Sequence, residues 1–487
     1  MKSKKKINIQ IVLKILGMLL VLEGIFMLIS LPFSIYYGED DFYPIVMSAA
    51  ITLGIGFISY FKNRNAVTGI RKREGYILVS LVWVVFSIFG ALPFVISGYI
   101  PNITNAFFET MSGFTTTGAS ILNDIESVPH GLLFWRSMTQ WLGGMGIIVL
   151  SLAILPILGI GGMQLYIAEV PGPAPDKLHP KVTATAKRLW VIYAVFTIVE
   201  TIFLLFGGMD FFDAINHSLT TMATGGYSTK QASIAYFNSP FIEYVIIVFM
   251  FIAGMNFSLS YFALKGNFSK VWKNEEFKYY LGFVIGITLI ISVALFFSED
   301  YSIEKSFRDA LFQVVSIMTT TGYVTADYLS WMPFLMILIL MIMFFGGSAG
   351  STGGSMKIVR IVLMLKNSIL ELKRLIIPNV VINLKFNNQS IPQATIFNVL
   401  AFIVFYILIF VLGVIVMSTI GLDLESSMGA VAATLGNIGP GIGSVGPMDN
   451  FYAIPDFGKW FLSFLMLLGR LEIFTVLVLF SPRFWKK

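Results

Sequence analysis

The chain has 487 residues, of which 56% are hydrophobic and only 12% charged, with a formal net charge of +6 and no cysteine. Because soluble domains carry about 25% charged residues, this composition excludes a soluble enzyme and a nucleic-acid-binding protein, and the lack of cysteine excludes disulfides and thiolate sites. Apolar runs that can each cross about 30 Å of hydrocarbon recur from end to end, so the sequence predicts a polytopic membrane protein.

Ten apolar stretches predict membrane spans. In chain order they are 9–36, 43–62, 75–98, 131–158, 188–208, 240–264, 278–298, 332–365 (interrupted), 393–420 and 459–481. An even number of spans places both termini on one side, and four lysines within the first six residues predict that this side is the cytoplasm. The opposite, outer side then keeps only five of the 33 basic residues: Arg136, Lys230, Lys305, Arg308 and Lys459.

Four of the predicted outer loops are too long for simple turns and resemble one another. They read NAFFETMSGFTTTGAS (105–120), DAINHSLTTMATGGYS (213–228), DALFQVVSIMTTTGYV (309–324) and SSMGAVAATLGNIGPG (426–441). In each, a short semi-apolar stretch precedes a small-residue segment, and one glycine stands in register: Gly118, Gly226, Gly322 and Gly439. A unit of about a hundred residues therefore occurs four times, as span, short re-entrant helix, Thr/Gly segment and span.

These re-entrant segments predict a pore. Non-helical backbone at membrane depth persists only where it is buried in protein or lines a water-filled cavity, and four such segments share a cavity only if the repeats surround one axis. Glycine permits backbone angles that turn successive carbonyl groups the same way, and threonine adds a hydroxyl oxygen. A ring of carbonyl oxygens can replace the hydration shell of a cation, and the C-terminal ends of the short helices favour positive charge.

A second set of glycines aligns inside the second span of each repeat: Gly144, Gly254, Gly347 and Gly469. In the third repeat the stretch GGSAGSTGG (346–354) contains five glycines, each costing about 1 kcal/mol in a helix, so this span should break and face a cavity. Arg470 follows in the fourth repeat. An intramembrane arginine costs about 2.5–3.5 kcal/mol on insertion scales, so it should face the axis, either in a buried pair with Glu472 or loop carbonyls or as a positive barrier to cations.

The four loops, TTTGAS and TTTGYVTAD above all, resemble the filter loops of the Trk/Ktr/HKT potassium transporter superfamily. The resemblance covers about 75–482, and the additional N-terminal pair of spans (9–62) resembles the TrkH type rather than the shorter KtrB type. It implies potassium coordination by the carbonyl groups of twelve filter positions: Thr116, Thr117, Gly118, Thr224, Gly225, Gly226, Thr320, Thr321, Gly322, Asn437, Ile438 and Gly439. Glycine at position 118 implies potassium rather than sodium, whereas Asn437 and Pro440 depart from the pattern and imply a less selective filter.

The resemblance also implies a gate, partners and a location. The gate would consist of Arg470 and the glycines of the interrupted span: Gly346, Gly347, Gly350, Gly353 and Gly354. The cytoplasmic segments 163–187 and 366–390 are by composition solvated connectors, and the resemblance implies that a cytosolic TrkA-type regulatory subunit that binds NAD and ATP would dock on them. It also implies that the chain would form a homodimer in the bacterial cytoplasmic (inner) membrane. No nucleotide-binding motif occurs in this sequence, so we expect no cofactor in this chain and a nucleotide only on the partner.

The predicted fold class is therefore an all-α polytopic membrane protein with pseudo-fourfold span–pore helix–span repeats around a central pore, plus an N-terminal pair of helices. The predicted units are 1–70, 75–162, 183–268, 277–374 and 390–487. The predicted function is potassium uptake through a channel-like pore, and the alternative is a proton- or sodium-coupled potassium symporter. An intramembrane enzyme is disfavoured because no nucleophile–base or metal constellation is evident, and an alternating-access carrier because such proteins usually have inverted repeats.

Overall fold

The computed structural model of the protein describes residues 7–66, 69–146, 182–298, 301–377 and 383–486. Within these ranges the chain is helical, with one short antiparallel hairpin of β1 (Lys385–Phe386) and β2 (Gln389–Ser390). Three predicted features lie outside the described residues: the N-terminal lysines, the end of the fourth predicted span (147–158) and most of the segment 163–187. The architecture is the expected all-α membrane fold of four similar repeats and an N-terminal helical extension.

The N-terminal extension consists of α1 (Ile9–Leu28), α2 (Leu31–Tyr37) and α3 (Phe42–Lys62). Helices α1 and α3 pack along their lengths, and small residues let their backbones approach closely, as is common where lipid provides no hydrophobic driving force. A Cβ atom at Gly17 would lie 2.7 Å from the carbonyl oxygen of Gly56, and one at Gly56 would lie 2.8 Å from that of Gly17. The extension is therefore a tightly packed helical pair.

We expect Gly56→Ile to destabilise the α1–α3 pair by about 1–3 kcal/mol, the usual cost of overpacking a close contact. The measurement is the melting temperature of the detergent-purified protein. Gly54→Ile is the matched control, because Gly54 lies on the same helix and a Cβ there would meet nothing within 4 Å. Equal melting temperatures for the two variants would contradict the prediction.

Each repeat contains a long first helix, a short helix and a second span, which is broken in repeats 2 to 4 and is described in repeat 1 as far as a π-helical turn. Repeat 1 comprises α4 (Lys72–Gly90), α5 (Leu92–Ser97), α6 (Ile103–Phe114), α7 (His130–Trp141) and a π-helical turn (Leu142–Gly146). Repeat 2 comprises α8 (Val182–Phe206), α9 (Phe211–Met222), α10 (Pro240–Gly254), α11 (Phe257–Leu264) and α12 (Phe268–Lys273). Repeat 3 comprises α13 (Glu275–Ser298), α14 (Ile303–Met318), α15 (Pro333–Ile342) and α16 (Ile358–Ile376). Repeat 4 comprises α17 (Gln393–Thr419), α18 (Leu424–Gly436), α19 (Asp456–Arg470), α20 (Phe474–Leu477) and α21 (Pro482–Trp485).

The second spans differ from the sequence prediction, which expected a break only in the third repeat. In the described chain, six predicted spans form helices long and apolar enough to cross a membrane, and none of them is a second span. Helices α10 and α11 meet at 113°, α19 and the helical stretch 474–480 meet at 110°, and residues 343–357 separate α15 from α16. In repeat 1, α7 passes into the π-helical turn. These breaks bring non-helical backbone and glycines against the neighbouring short helices.

The repeats close into a ring. In every repeat the long first helix packs on the short helix of the same repeat, as α4 does on α6 and α8 on α9. The second span then packs on the short helix of the next repeat, in the pairs α7–α9 and α10–α14. The ring closes where α19 of repeat 4 packs on α6 of repeat 1. The ends of the short helices are thereby held around a common axis.

Candidate functional site: four converging Thr/Gly segments

The four short helices α6, α9, α14 and α18 begin with the same kind of cap. The side chains of Asn102, Asp210, Ser302 and Asp423 each accept a hydrogen bond from the backbone N–H three residues further on, at 3.2, 2.6, 3.2 and 3.2 Å. Such a cap satisfies an N–H group that the first helical turn leaves unpaired and stabilises the helix by about 1 kcal/mol. These residues are visible in the sequence and explain where each short helix starts.

The four short helices also end alike, in segments that we call the Thr/Gly segments (115–118, 223–226, 319–322 and 436–439). In each segment one residue is left-handed, with φ of 53°, 52°, 61° and 53°: Thr116, Thr224, Thr320 and Asn437. The N–H of the following residue bonds a helix carbonyl group five residues back, at 2.8–2.9 Å in all four. This is a Schellman cap, which usually has glycine at the left-handed position. A β-branched threonine there is strained by about 1–3 kcal/mol, a cost typical of functional sites.

The four Thr/Gly segments form a closed ring. A Cβ atom at each aligned glycine would come within 3.0 Å of a carbonyl oxygen in the next segment. The pairs are Gly118 with Gly225, Gly226 with Thr321, Gly322 with Ile438 and Gly439 with Thr117. The aligned glycines also have φ of 83°, 75°, 80° and 102°, which L side chains rarely adopt. The four glycines that are aligned in the sequence therefore lie around one axis. Each faces the carbonyl group of the residue just before the aligned glycine of the next segment.

Several buried carbonyl oxygens of this ring accept no hydrogen bond from the described residues. In the described ranges, no hydrogen bond ends on the carbonyl oxygens of seven residues that are at most 1% exposed: Thr116, Thr117, Thr224, Thr320, Thr321, Asn437 and Ile438. Buried carbonyl groups are nearly always paired, so such a cluster requires another partner. A dehydrated cation is a suitable one, because carbonyl oxygens can replace its hydration shell and four helix C-termini add partial negative charge.

The fourth segment departs from the others through Asn437. Asparagine is one of the few residues that routinely visits the left-handed region, so its backbone is less strained than that of the three threonines. Its side chain donates to Thr117 Oγ1 at 2.9 Å and to the Met466 carbonyl oxygen at 3.0 Å. The asparagine that stands in place of threonine in the fourth segment therefore links this segment to the first.

A buried ion pair behind the ring was missed by the sequence analysis. Arg136, which the sequence analysis counted only as a base of the outer side, is 3% exposed within α7, and its Nε lies 2.7 Å from Oε1 of Glu109, which is 1% exposed. Arg136 also donates to the Ser228 carbonyl oxygen at 3.0 Å and covers the ring of Tyr227. The signal was available, because an arginine inside the apolar run GLLFWRSMTQW must find partners. The pair lies within repeat 1, and the contacts of Arg136 with Ser228 and Tyr227 connect it to repeat 2.

The glycine-rich stretch of repeat 3, residues 343–357, lies against the Thr/Gly segments. The Gly354 N–H donates to the Thr320 hydroxyl at 2.6 Å, and a Cβ at Gly353 would lie 2.8 Å from the Thr319 carbonyl oxygen. The two ends of the stretch meet where the Gly346 N–H donates to the Met356 carbonyl oxygen at 2.8 Å. The other two glycines contact repeat 2: a Cβ at Gly347 would lie 2.7 Å from the Gly254 carbonyl oxygen, and the Gly350 carbonyl oxygen accepts from the Phe257 N–H at 3.2 Å.

Arg470 links the first Thr/Gly segment to the glycine-rich stretch of repeat 3 and to the π-helical turn of repeat 1. Its Nη1 donates to Thr116 Oγ1 at 2.9 Å and to the Thr352 carbonyl oxygen at 2.7 Å. Its Nη2 donates to the carbonyl oxygens of Gly143 and Gly144 at 2.8 and 2.9 Å. The sequence analysis expected either Glu472 or loop carbonyl groups as buried partners of Arg470. The structure shows the loop carbonyl groups, and the Glu472 carboxylate pairs with Arg360. The guanidinium is a direct link between the glycine-rich stretch and the ring.

The second set of glycines is offset by one residue in repeat 4. A Cβ at Gly144 would meet Ala223, and one at Gly254 would meet Thr319, each at the start of the next Thr/Gly segment. A Cβ at Gly469 would instead meet the Leu435 carbonyl group of its own repeat, as one at Gly143 would meet that of Phe114. Gly469 therefore corresponds to Gly143, and Arg470 takes the place that Gly144 and Gly254 have in the earlier repeats.

Comparisons with known proteins identify the family to which the chain is similar. A family model described as "TrkH: Cation transport protein" matches residues 44–487. The "Trk system potassium uptake protein TrkH" of Escherichia coli K12 is 43% identical over 97% of this chain and 99% of its own length, and "Trk system potassium uptake protein TrkG" of the same strain is 32% identical over 98% and 99%.

A solved structure extends the likeness to three dimensions. "Crystal Structure of the Potassium Transporter TrkH from Vibrio parahaemolyticus" matches with a TM-score of 0.89 and 39% identity, covering 99% of this chain and 100% of that one. Sequence, repeat geometry and fold therefore agree: this multi-pass membrane protein belongs to the TrkH family of cation transport proteins, a family of transporters rather than enzymes.

Proposed function

We propose that this protein conducts potassium into the cell through a central pore, and that the ring of Thr/Gly segments is its selectivity filter. The observation that carries the proposal is the set of buried carbonyl oxygens without protein partners around four aligned glycines. The relatives named as potassium uptake proteins share almost the full length of the chain. Passive inward flow would be favoured by about 2.3 kcal/mol per 100 mV of inside-negative potential.

Arg470 and the glycine-rich stretch 343–357 form the proposed gate. Both contact the Thr/Gly segments from one side, Arg470 through Thr116 and the stretch through Thr320. A guanidinium on a cation path is an electrostatic barrier, and its hydrogen bond to Thr352 holds the stretch beside it. The contacts support a closed pore in which Arg470 and the stretch must move together.

Regulation would come from a cytosolic TrkA-type subunit, with nucleotide bound to that partner, in a homodimer in the bacterial cytoplasmic membrane with both termini inside. The proposed docking region includes the end of α16 and the β1–β2 hairpin, which follow the glycine-rich stretch in the chain. A force that the partner exerts on the C-terminal end of α16 would be transmitted along this uninterrupted helix to the glycine-rich stretch that precedes it. This explains how a partner outside the membrane could open a pore inside it.

The test is rubidium flux into liposomes containing the purified protein, with potassium, sodium and the pH gradient varied separately. A passive potassium pore should transport rubidium down its gradient, with competition by potassium and little by sodium, and without a proton or sodium gradient. Flux that requires a proton or sodium gradient would favour a coupled symporter. Equal competition by sodium and potassium would contradict the assignment of potassium selectivity.

A further inference from the structure

The second Thr/Gly segment lacks a side chain where the other three have one. The residues just before the aligned glycines are Thr117, Gly225, Thr321 and Ile438. In repeats 1 and 3 the hydroxyl of this threonine contacts that of the threonine two residues earlier, at 2.8 Å in both. In repeat 4 the Ile438 side chain fills the space beside Gly436. A side chain at this position therefore supports its own segment from behind, and Gly225 has none.

The side chain of Gln140 occupies the space behind Gly225. Gln140 lies on α7 of repeat 1 and is fully buried. A Cβ atom built on Gly225 would come within 3.0 Å of all three terminal atoms of the Gln140 carboxamide. Gly225 is thus compatible with Gln140 only because it has no side chain, and the neighbouring repeat supplies the missing support.

The Gln140 carboxamide also hydrogen-bonds the backbone of the second segment on both sides of Gly226. Its Nε2 donates to the Gly225 carbonyl oxygen at 2.7 Å, and its Oε1 accepts from the Tyr227 N–H at 3.0 Å. The Gly225 carbonyl group belongs to the ring, where it faces Gly118. Two consecutive glycines are the least restricted backbone of any segment, so these two hydrogen bonds restrict the orientation of that carbonyl group.

We propose that Gln140 is a positioning residue for selectivity: it replaces the side chain that Gly225 lacks and holds the Gly225 carbonyl group in the geometry that distinguishes potassium from sodium. Arg136, one helical turn earlier on the same face of α7, supports the next part of the segment through Ser228. The inference rests on the proposed function, because it concerns how the proposed filter discriminates between ions. It predicts that a side chain introduced at position 225 of the second segment can replace the Gln140 side chain of α7.

The experiment compares Gln140→Ala, Gly225→Thr and the double variant in proteoliposomes. The measured quantity is the ratio of potassium to sodium needed to compete with rubidium uptake, together with the uptake rate. Gln140→Ala should lower the selectivity ratio about five- to tenfold, the range that corresponds to the loss of one or two hydrogen bonds. Gly225→Thr alone should abolish uptake because the new side chain overlaps Gln140. The double variant, which gives repeat 2 the TTG of repeats 1 and 3, should recover uptake and most of the selectivity.

Two further variants separate this role from folding. Gln140→Glu keeps the shape and the acceptor for Tyr227 but loses the donor to Gly225, so it should also lower the ratio if Gln140→Ala does not fold. Gln313→Ala is the matched control, because Gln313 is a buried glutamine that bonds only Thr325 and Ala326 of the described residues, and it should leave the ratio unchanged.

An unchanged ratio in Gln140→Ala or Gln140→Glu, or a double variant no more selective than Gln140→Ala, would overturn the inference while leaving the proposed function intact. A wild-type protein without preference for potassium would instead overturn the proposed function, and the inference with it.

Discussion

Gly322→Ala is expected to reduce rubidium uptake to the background of empty liposomes. A Cβ atom there would overlap the carbonyl oxygen of Ile438 in the next segment and approach the Pro440 ring at 2.8 Å. The residue also has φ of 80°, which costs an L residue about 1–2 kcal/mol. The clash cannot be relieved by a side-chain rotation because one of the atoms belongs to the backbone, so the ring must open between repeats 3 and 4.

Gly208→Ala is the control for the backbone strain alone. Gly208 has φ of 94°, but a Cβ there would meet nothing within 4 Å. Its alanine variant should lose some thermal stability and keep normal uptake. Normal uptake in Gly322→Ala, with the protein folded, would contradict the closed ring of segments.

Arg470→Ala is expected to raise basal rubidium flux in the absence of any regulatory partner. The substitution removes four hydrogen bonds that link the first Thr/Gly segment, the glycine-rich stretch and the break of repeat 1. If these contacts contribute about 1–3 kcal/mol to the closed state, basal flux should increase about 5- to 150-fold. The rate of rubidium efflux from loaded proteoliposomes measures this directly.

Arg470→Lys distinguishes charge from geometry. Lysine keeps the positive charge, but its single ammonium group cannot replace a planar guanidinium that donates to several carbonyl groups at once. Flux in this variant should lie between those of the wild type and Arg470→Ala. Basal flux unchanged by both substitutions would exclude Arg470 from the gate.

Local pattern was sufficient for much of the fold. The spacing of apolar runs indicated the spans. The caps at Asn102, Asp210, Ser302 and Asp423 are equally local, although the sequence analysis did not use them. The aligned glycines indicated four equivalent segments because their backbone angles are a local requirement, which any turn of this type imposes on its own sequence. The interruption of the third repeat was equally local, since clustered glycines weaken a helix wherever it lies.

Contacts between elements that are far apart in the chain could not be predicted in the same way. The bends at Gly254 and after Arg470 involve short sequences without unusual composition. They are explained only by their tertiary contacts, those of Gly254 with Thr319 of the next repeat and of Gly469 with Leu435 of its own repeat. Arg136 was counted on the outer side without a partner, because a charge count does not say which groups a base contacts. Its partner Glu109 lies 27 residues away in the chain, and only the packing of α7 beside α6 brings the two together.

The amino-acid sequence by itself determined that this is a membrane protein of four repeats, each with an aligned glycine, and that an arginine lies within the last span. These features depend on hydrophobicity, capping and backbone freedom, which act within a few residues. Tertiary structure alone decided which carbonyl groups face one another, which oxygens Arg470 binds and why Gly225 can lack a side chain. These depend on atoms from different repeats meeting at distances of about 3 Å, the length of a hydrogen bond, and no pattern along a single chain specifies such an encounter.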